Sequence, residues 1–82
     1  MEMRTSAFVA ASGLVLDDVS GARVAGHVDV GEEHHTPWGV VHGGVWATVV
    51  ESAASVGAST AVRDDGMYAV GLTNTTHFLP LP

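Results

Sequence analysis

Apolar and polar residues alternate along positions 22–30, ARVAGHVDV, which is the clearest pattern in the chain. A period of two is typical of a half-buried β-strand, and here it places four residues on one face: Val24, Gly26, Val28 and Val30. A second strand is predicted over Gly13–Leu16, with a start as early as Phe8. The residues between them, Asp17–Gly21, have turn chemistry, so the two strands are predicted to form an antiparallel hairpin.

A longer apolar segment from Gly44 to Val62 predicts a buried helix, because it is rich in Ala and Val, lacks Pro and is too long for one strand. The following residues, Arg63–Gly66, form a helix stop signal of one cation, two turn residues and a glycine. Met67–Leu79 is rich in β-branched residues and predicts a third strand. The final residues, Leu79–Pro82, alternate with proline and cannot continue a central strand.

The polar residues of this helix are spaced i, i+3, i+7 and i+11 and therefore form one narrow stripe: Thr48, Glu51, Ser55 and Ser59. Glu51 is the only charged residue between Glu33 and Arg63. An ordinary solvated face is one interpretation, but such a face normally carries several Lys, Glu or Arg residues. A single carboxylate among small hydroxyls favours a largely covered helix with a polar cleft along one edge. Partial desolvation there would make Glu51 a useful base.

The residues that lead into the helix, Gly39–Gly44, read GVVHGG. Paired glycines at a helix start let the backbone approach a ligand closely and leave N–H groups free at the positive end of the helix dipole. Such a position suits a phosphate or a developing oxyanion. A tight turn that needs glycine only for its conformation is the alternative. A phosphate-binding P-loop is excluded, because no Gly-Lys-Ser/Thr follows.

Composition narrows the classes of partner. The net charge is −6, with nine acidic residues, three scattered arginines and no lysine, so neither nucleic acid nor an anionic membrane surface is an expected partner. The apolar run Ala7–Ala11 is shorter than a signal-peptide core, and nothing approaches the roughly 20 residues of a membrane span. We therefore expect a cytoplasmic protein. A single domain of 82 residues without cysteine would also gain stability from a partner subunit.

The chain contains five histidines, which raises the question of a metal site. His34, His35 and His42 lack the His-x3-His spacing of a helical metal site and have no cysteine beside them, so no metal and no cofactor is predicted. His34 and His35 are expected to be solvated loop residues, and His42 to shape the site by hydrogen bonding. No Gly-x-Ser-x-Gly nucleophile motif is present.

Residues 39–52, GVVHGGVWATVVES, resemble the helix-entry signature of the hotdog-fold acyl-CoA thioesterases. The family pattern is a Gly-x-x-His-Gly-Gly turn and then an acidic residue eight positions after the first of the paired glycines, a spacing that Gly43 and Glu51 share. Glu rather than Asp, followed by Ser-x-Ala-Ser, is similar to the Arthrobacter-type 4-hydroxybenzoyl-CoA thioesterases, with the phenylacetate-pathway type as the other near group. The resemblance implies an α+β fold in which an antiparallel sheet wraps around one long central helix.

The resemblance covers about residues 13–80 and is specific over 36–55. Hotdog domains usually continue with further strands, so residues 1–82 are expected to form a single hotdog domain that is incomplete at its C-terminus. The third strand of the family commonly ends in Phe-Leu-Arg-Pro. The corresponding residues here, Phe78-Leu79-Pro80, lack the arginine and offer no cation to a CoA phosphate.

By this resemblance the protein hydrolyses acyl-CoA thioesters, aryl-CoA among them, to free acid and CoA. The Gly43 N–H would polarise the thioester carbonyl, and Glu51 would act as nucleophile or as general base on a water. Five further residues would contact the substrate: His42, Gly44, Thr36, Ser55 and Thr48. Family sites lie at a dimer interface, which implies a homodimer or homotetramer.

Two other functions compete with hydrolysis. The chain could be a non-catalytic acyl-CoA-binding or structural hotdog fragment, for which its short length speaks. It could also be a hotdog dehydratase or hydratase, although those enzymes usually carry a His and an Asp or Glu in a different helix context.

Overall fold

A computed structural model describes residues 6–78 of the chain, and the expectations for Leu79–Pro82 lie outside that range. Four regular elements and two short 3₁₀ turns follow one another: α1 Ala7–Ser12, β1 Leu14–Val19, β2 Val24–Val28, a 3₁₀ turn Glu32–His34, α2 Gly43–Val62 and a 3₁₀ turn Arg63–Asp65. The described residues thus combine a two-stranded antiparallel sheet with one long helix. This is the α+β arrangement expected for part of a hotdog domain.

Helix α1 occupies residues that the sequence assigned to the start of a strand, so the early start at Phe8 is wrong. The Ser6 hydroxyl accepts a hydrogen bond from the Val9 N–H at 3.2 Å and caps the helix. Gly13 ends it in the left-handed conformation, with φ 82°, and donates its N–H to the Ala10 carbonyl. A helix cap on each side therefore outweighs the strand propensity of the residues between them.

The predicted hairpin is confirmed, but its turn lies further along the chain than expected. Strand β1 continues through Asp17 and Asp18 to Val19, and its pairing with β2 is irregular between Leu16 and Asp18. Both carboxylates are exposed: Asp17 Oδ2 lies 2.7 Å from His27 Nδ1, and Asp18 Oδ2 lies 3.4 Å from Arg23 Nη1. The turn itself starts at Ser20, whose hydroxyl accepts hydrogen bonds from the next backbone N–H groups of the turn.

Helix α2 begins and ends within one residue of its predicted bounds. Its stop signal is also confirmed: the chain tightens into the 3₁₀ turn Arg63–Asp65, and Gly66 follows with φ 73°. The helix packs against α1 and both strands. Leu14 is the one apolar side chain that is buried in the described part of the chain, so the core is small.

The strand predicted over Met67–Leu79 is absent from its described part, residues 67–78. This stretch, which we call the return segment, runs back beside α2 without pairing to the hairpin. Side chains attach it to the helix instead, at Ser59 near its start and at Ala47 further along. The strand prediction is wrong here because a strand needs a neighbouring backbone for its hydrogen bonds, and β1 and β2 lie elsewhere.

Within residues 6–78, none of the helices combines the length and the hydropathy that crossing a membrane requires.

Candidate active site

The backbone N–H groups in the first turn of α2 differ in their hydrogen-bond acceptors. His42 is the N-cap, and its Nδ1 accepts a hydrogen bond from the Gly44 N–H at 2.8 Å. The Val45 N–H donates to the His42 carbonyl at 3.0 Å. Among the described residues, the Gly43 N–H has no acceptor, so it is the free donor at the positive end of the helix dipole. His42 thus shapes this turn by hydrogen bonding, as the sequence indicated.

Glu51 lies two turns further along the helix and is half-buried. The Ser55 hydroxyl, one turn beyond it, donates a hydrogen bond to Glu51 Oε1 at 3.0 Å. This bond holds the carboxylate towards the C-terminal half of the helix. Among residues 6–78 Ser55 is the one hydrogen-bond donor to this carboxylate, which can accept further donors from a substrate or a water.

The polar stripe of α2 is covered, and this decides between the two interpretations of the helix. Thr48, Glu51 and Ser55 are half-buried and Ser59 is buried, whereas the side chains that face solvent include Trp46 and Val50. An ordinary amphipathic helix has the opposite arrangement. The solvated-face interpretation is therefore wrong, and the polar edge lies against the rest of the chain.

The return segment covers this stripe. The Ser59 hydroxyl accepts a hydrogen bond from the Ala69 N–H at 2.8 Å and lies 3.4 Å from the Ala69 carbonyl, to which it donates. Asn74 Nδ2 donates to the Ala47 carbonyl of the helix backbone at 2.9 Å. Between these anchors the segment passes directly over the Glu51 carboxylate, which contacts Gly71.

Two clefts flank the helix near these groups. One, of about 370 Å³, opens at the helix start between His42, Gly44 and the loop histidines. The other, of about 340 Å³, is lined by Glu51 and Asn74. Thr48 and Phe8 line both clefts, so they stand where a bound molecule could extend from the helix start towards the carboxylate.

Gly43 and Glu51 do not meet within one chain. They are eight positions apart on the same helix, which corresponds to about 12 Å along the axis at about 1.5 Å per residue. A reacting carbonyl has to lie about 3 Å from both the attacking group and the oxyanion donor. One carbonyl therefore cannot contact both groups of a single copy of the chain.

Thr36 lies in the loop before α2 and is engaged in the loop's own hydrogen bonds. Its hydroxyl accepts from the Trp38 N–H at 3.3 Å, and its backbone pairs with Val40 and Gly39. It does not line either of the two clefts that flank α2. Thr36 is therefore separated from His42, Gly44 and Thr48, which line these clefts.

The loop histidines behave differently from one another. His35 is exposed, as expected, but His34 is buried, so the prediction that it is solvated is wrong. His34 Nδ1 accepts from the Gly31 N–H at 2.9 Å, and its carbonyl accepts from the His42 N–H at 2.8 Å. These bonds attach the loop to the helix start, which explains the burial. Within residues 6–78, no three His, Asp or Glu side chains come together as a metal site would require.

Sequence reasoning missed three residues that the structure places beside the site: Phe8, Gly71 and Asn74. Phe8 was assigned to a strand, and the other two belong to a segment that was expected to pair with the sheet. For Asn74, the one signal in the sequence is a polar amide among β-branched threonines, which could have indicated a side chain that bonds the helix. The sequence around Gly71 carries no signal of its role, because that role depends on its contact with Glu51.

Comparison with known proteins agrees with the fold. A family model described as the thioesterase superfamily matches residues 38–80, just over half of the chain. This range begins before the helix start and includes Gly43, Glu51 and the whole return segment. No solved structure matches the chain at a significant level.

Two curated relatives are similar to part of this chain. The chain is 45% identical over 49 residues to the 1,4-dihydroxy-2-naphthoyl-CoA thioesterase 2 of Arabidopsis thaliana, a match that covers 60% of this chain and 31% of that protein. It is 34% identical over 53 residues to the 1,4-dihydroxy-2-naphthoyl-CoA hydrolase of Listeria monocytogenes serotype 1/2a (strain 10403S), with 65% of this chain and 43% of that protein covered. The chain thus spans less than half the length of either relative.

Proposed function

The chain belongs to the thioesterase superfamily, and from that premise we propose that it contributes the catalytic half-sites for hydrolysis of acyl-CoA thioesters to free acid and CoA. The observation that carries the proposal is the environment of the Glu51 side chain. It is the single carboxylate of a covered polar stripe, it is held by Ser55, and it lines an open cleft. A carboxylate in such a setting is suited to attack a carbonyl or to activate a water.

The free N–H of Gly43 supplies the second element of the reaction. When a nucleophile adds to a thioester carbonyl, negative charge develops on the carbonyl oxygen. A fixed N–H at the helix start stabilises that charge, and the helix dipole adds to the effect. Donors of this kind typically contribute about 10²–10³ in kcat. His42 supports the donor by occupying the neighbouring Gly44 N–H, which leaves Gly43 as the available group.

Glu51 has two routes to the product. As a nucleophile, its oxygen bonds to the carbonyl carbon, the carbon–sulfur bond breaks with loss of CoA thiolate, and water then hydrolyses the resulting anhydride. As a general base, it removes a proton from a water whose oxygen adds to the carbon, and the proton passes to the departing thiolate. Ser55 orients the carboxylate in either route. Thr48 and Gly44 contribute to the walls that receive the substrate, whereas Thr36 can do so only from another copy of the chain.

The active enzyme contains at least two copies of the chain. Since Gly43 and Glu51 of one copy lie about 12 Å apart along the helix axis, one thioester cannot use both. The Gly43 N–H of one protomer would act with Glu51 of its partner, in a homodimer or in a homotetramer built from such dimers. This arrangement gives two equivalent sites for each pair of chains.

Aromatic acyl groups are the substrates that fit these features best. Phe8 lines both clefts beside the helix, and an aromatic ring provides an apolar surface on which a planar acyl group can stack. The names of both relatives specify 1,4-dihydroxy-2-naphthoyl-CoA, an aromatic thioester. With three arginines and no lysine in the chain, the CoA phosphates would be held with few ion pairs.

The test is a panel of aliphatic and aromatic acyl-CoA esters with a free-thiol readout. Three proteins are compared: the wild type, Glu51→Gln, and Glu32→Gln as a matched control at an exposed loop carboxylate. We expect Glu51→Gln to lose activity by about 10³-fold or more, with the control unchanged. Equal hydrolysis by the wild type and Glu51→Gln would refute the assignment. Binding of CoA esters without turnover by the wild type would favour a non-catalytic binding role instead.

A further inference from the structure

The return segment passes over Glu51 at Gly71, and the contact there leaves no room for a side chain. A Cβ atom placed on Gly71 would overlap Glu51 Oε1 and would lie 3.1 Å from the carboxyl carbon and 3.2 Å from Cγ. All three of its nearest neighbours therefore belong to one residue. The Glu51 carboxylate therefore occupies the space that a side chain at position 71 would need.

The need for glycine at this position is one of space and not of backbone conformation. The glycines with positive φ among residues 6–78 are Gly13, Gly39 and Gly66, and Gly71 is not among them. Any residue could adopt its backbone conformation. An alanine at Gly71 would therefore act through contact with Glu51 alone.

The return segment cannot easily move aside to relieve such a contact, because it is anchored on both sides of Gly71. Two residues before it, Ala69 is bound through its N–H and its carbonyl to the buried Ser59 hydroxyl. Three residues after it, Asn74 donates to the Ala47 carbonyl. The Glu51 side chain is half-buried and can change its torsion angles. The carboxylate would therefore move, rather than the return segment.

We propose that Gly71 is a positioning residue for Glu51. By lacking a side chain, it admits the carboxylate in the one orientation that both accepts the Ser55 hydroxyl and lines the cleft with Thr48 and Asn74. An alanine would displace the carboxylate by about 1 Å, and misplacement on this scale can cost about 10²-fold in rate. The proposal rests on the function proposed above for Glu51.

The first test compares Gly71→Ala with Val70→Ala, a control on the adjacent, exposed residue of the same segment. With an aromatic acyl-CoA ester from the panel above as substrate, Gly71→Ala is expected to lower kcat by roughly 10- to 100-fold and to change KM by less than about threefold. Val70→Ala is expected to leave kcat within about twofold of the wild type. Equal losses in both variants would overturn the proposal, because they would indicate a general disturbance of the segment.

The second test asks whether a shorter carboxylate at position 51 removes the effect of Gly71→Ala on kcat. Glu51→Asp withdraws the carboxyl group from Gly71 by one methylene, so adding Gly71→Ala to Glu51→Asp is expected to cost less than about threefold. A full, additive loss in the double variant would overturn the contact mechanism. If Gly71→Ala alone failed to fold, folding of the double variant would still support it, and failure of both would refute it.

A third readout is independent of catalysis. The ¹³C resonance of the Glu51 carboxyl group, measured without substrate, is expected to move in Gly71→Ala and to stay in place in Val70→Ala. An unchanged resonance in Gly71→Ala would refute the positioning role even if Glu51 proved catalytic. Full activity of Glu51→Gln together with a shifted resonance would instead refute the proposed function and leave the contact established.

Discussion

The hydroxyl of Ser55 donates a 3.0 Å hydrogen bond to Oε1 of Glu51, one helical turn before it. Both side chains are half-buried beneath the return segment. A hydrogen bond to a charged group contributes about 1.5–3 kcal/mol, and partial exposure places this one at the lower end. The bond fixes which way the carboxylate points before a substrate arrives.

Removing this hydroxyl should therefore weaken catalysis without abolishing it. We expect Ser55→Ala to lower kcat by about tenfold, and Ser55→Thr, which keeps the hydroxyl, to recover most of that loss. Steady-state kinetics on the same acyl-CoA ester measures both. Thr60→Ala is the matched control, because Thr60 lies on the same helix, donates its hydroxyl to the Val56 carbonyl and lines neither cleft. Equal kcat values for Ser55→Ala and the wild type would show that the carboxylate needs no such support.

The contribution of the Gly43 N–H can be isolated by comparing proline with alanine at this position. Either residue would bring a Cβ against the ring of Phe78, which lies 2.9 Å from that position, but only proline removes the N–H. Proline is tolerated at the first position of a helix, and His42 already has the extended ψ of 132° that a following proline requires.

We expect Gly43→Pro to lower kcat by about 10²–10³-fold relative to Gly43→Ala, with similar unfolding temperatures for the two variants. Kinetics and thermal unfolding of the pair measure this directly. Activity of Gly43→Pro at the level of Gly43→Ala would exclude this N–H as the oxyanion donor.

The elements that could be predicted from the sequence are those whose signals are local. Helix α2 and its end follow from composition and from Gly66, and the stripe that contains Glu51 follows from helical periodicity alone. The hairpin follows from the alternation of β2. The placement of its turn failed because Asp17 and Asp18 can occupy a solvated strand face as readily as a turn.

The covering of the site could not be predicted, because it depends on contacts between segments distant in sequence. Asn74 bonds the backbone of a residue 27 positions earlier. Gly71 matters only through the carboxylate opposite it. Both residues lie in a stretch whose β-branched composition predicts a strand. Hydrogen bonds to the Ser59 hydroxyl and the Ala47 carbonyl of α2 hold it beside the helix instead. Helix α1 is a different case, since its caps at Ser6 and Gly13 are visible in the sequence, and the strand prediction for Phe8 gave them too little weight.

The hairpin carries a charge pair whose contribution to stability should depend on pH. His27 Nδ1 lies 2.7 Å from Asp17 Oδ2 across the sheet, and Asp29 Oδ2 lies 3.6 Å from Nε2. The hydrogen bond and the charge of Asp17, with a smaller contribution from Asp29, raise the pKa of His27 above its usual 6.5. Because the folded-state pKa is the higher one, the stabilisation is complete below about pH 6.5 and is lost as the pH rises through the folded-state pKa.

We therefore expect His27→Gln to destabilise the protein more at pH 5.5 than at pH 8.5, as measured by urea unfolding at both pH values. His77→Gln is the control, because His77 is exposed and forms no ion pair with the other described residues. A destabilisation by His27→Gln that is the same at both pH values would show that the charged pair does not contribute.

The proposal that each active site combines two chains predicts recovery of activity when two inactive variants are mixed. Gly43→Pro keeps Glu51 but lacks the N–H, and Glu51→Gln keeps the N–H but lacks the carboxylate. In a mixed dimer, one site has neither group and the other has both, so random exchange of subunits restores about a quarter of the wild-type activity. If both groups acted from one chain, every site in the mixture would lack one of them and no activity would return. Hydrolysis measured after unfolding and refolding the two variants together, and again after refolding them separately, distinguishes the two arrangements.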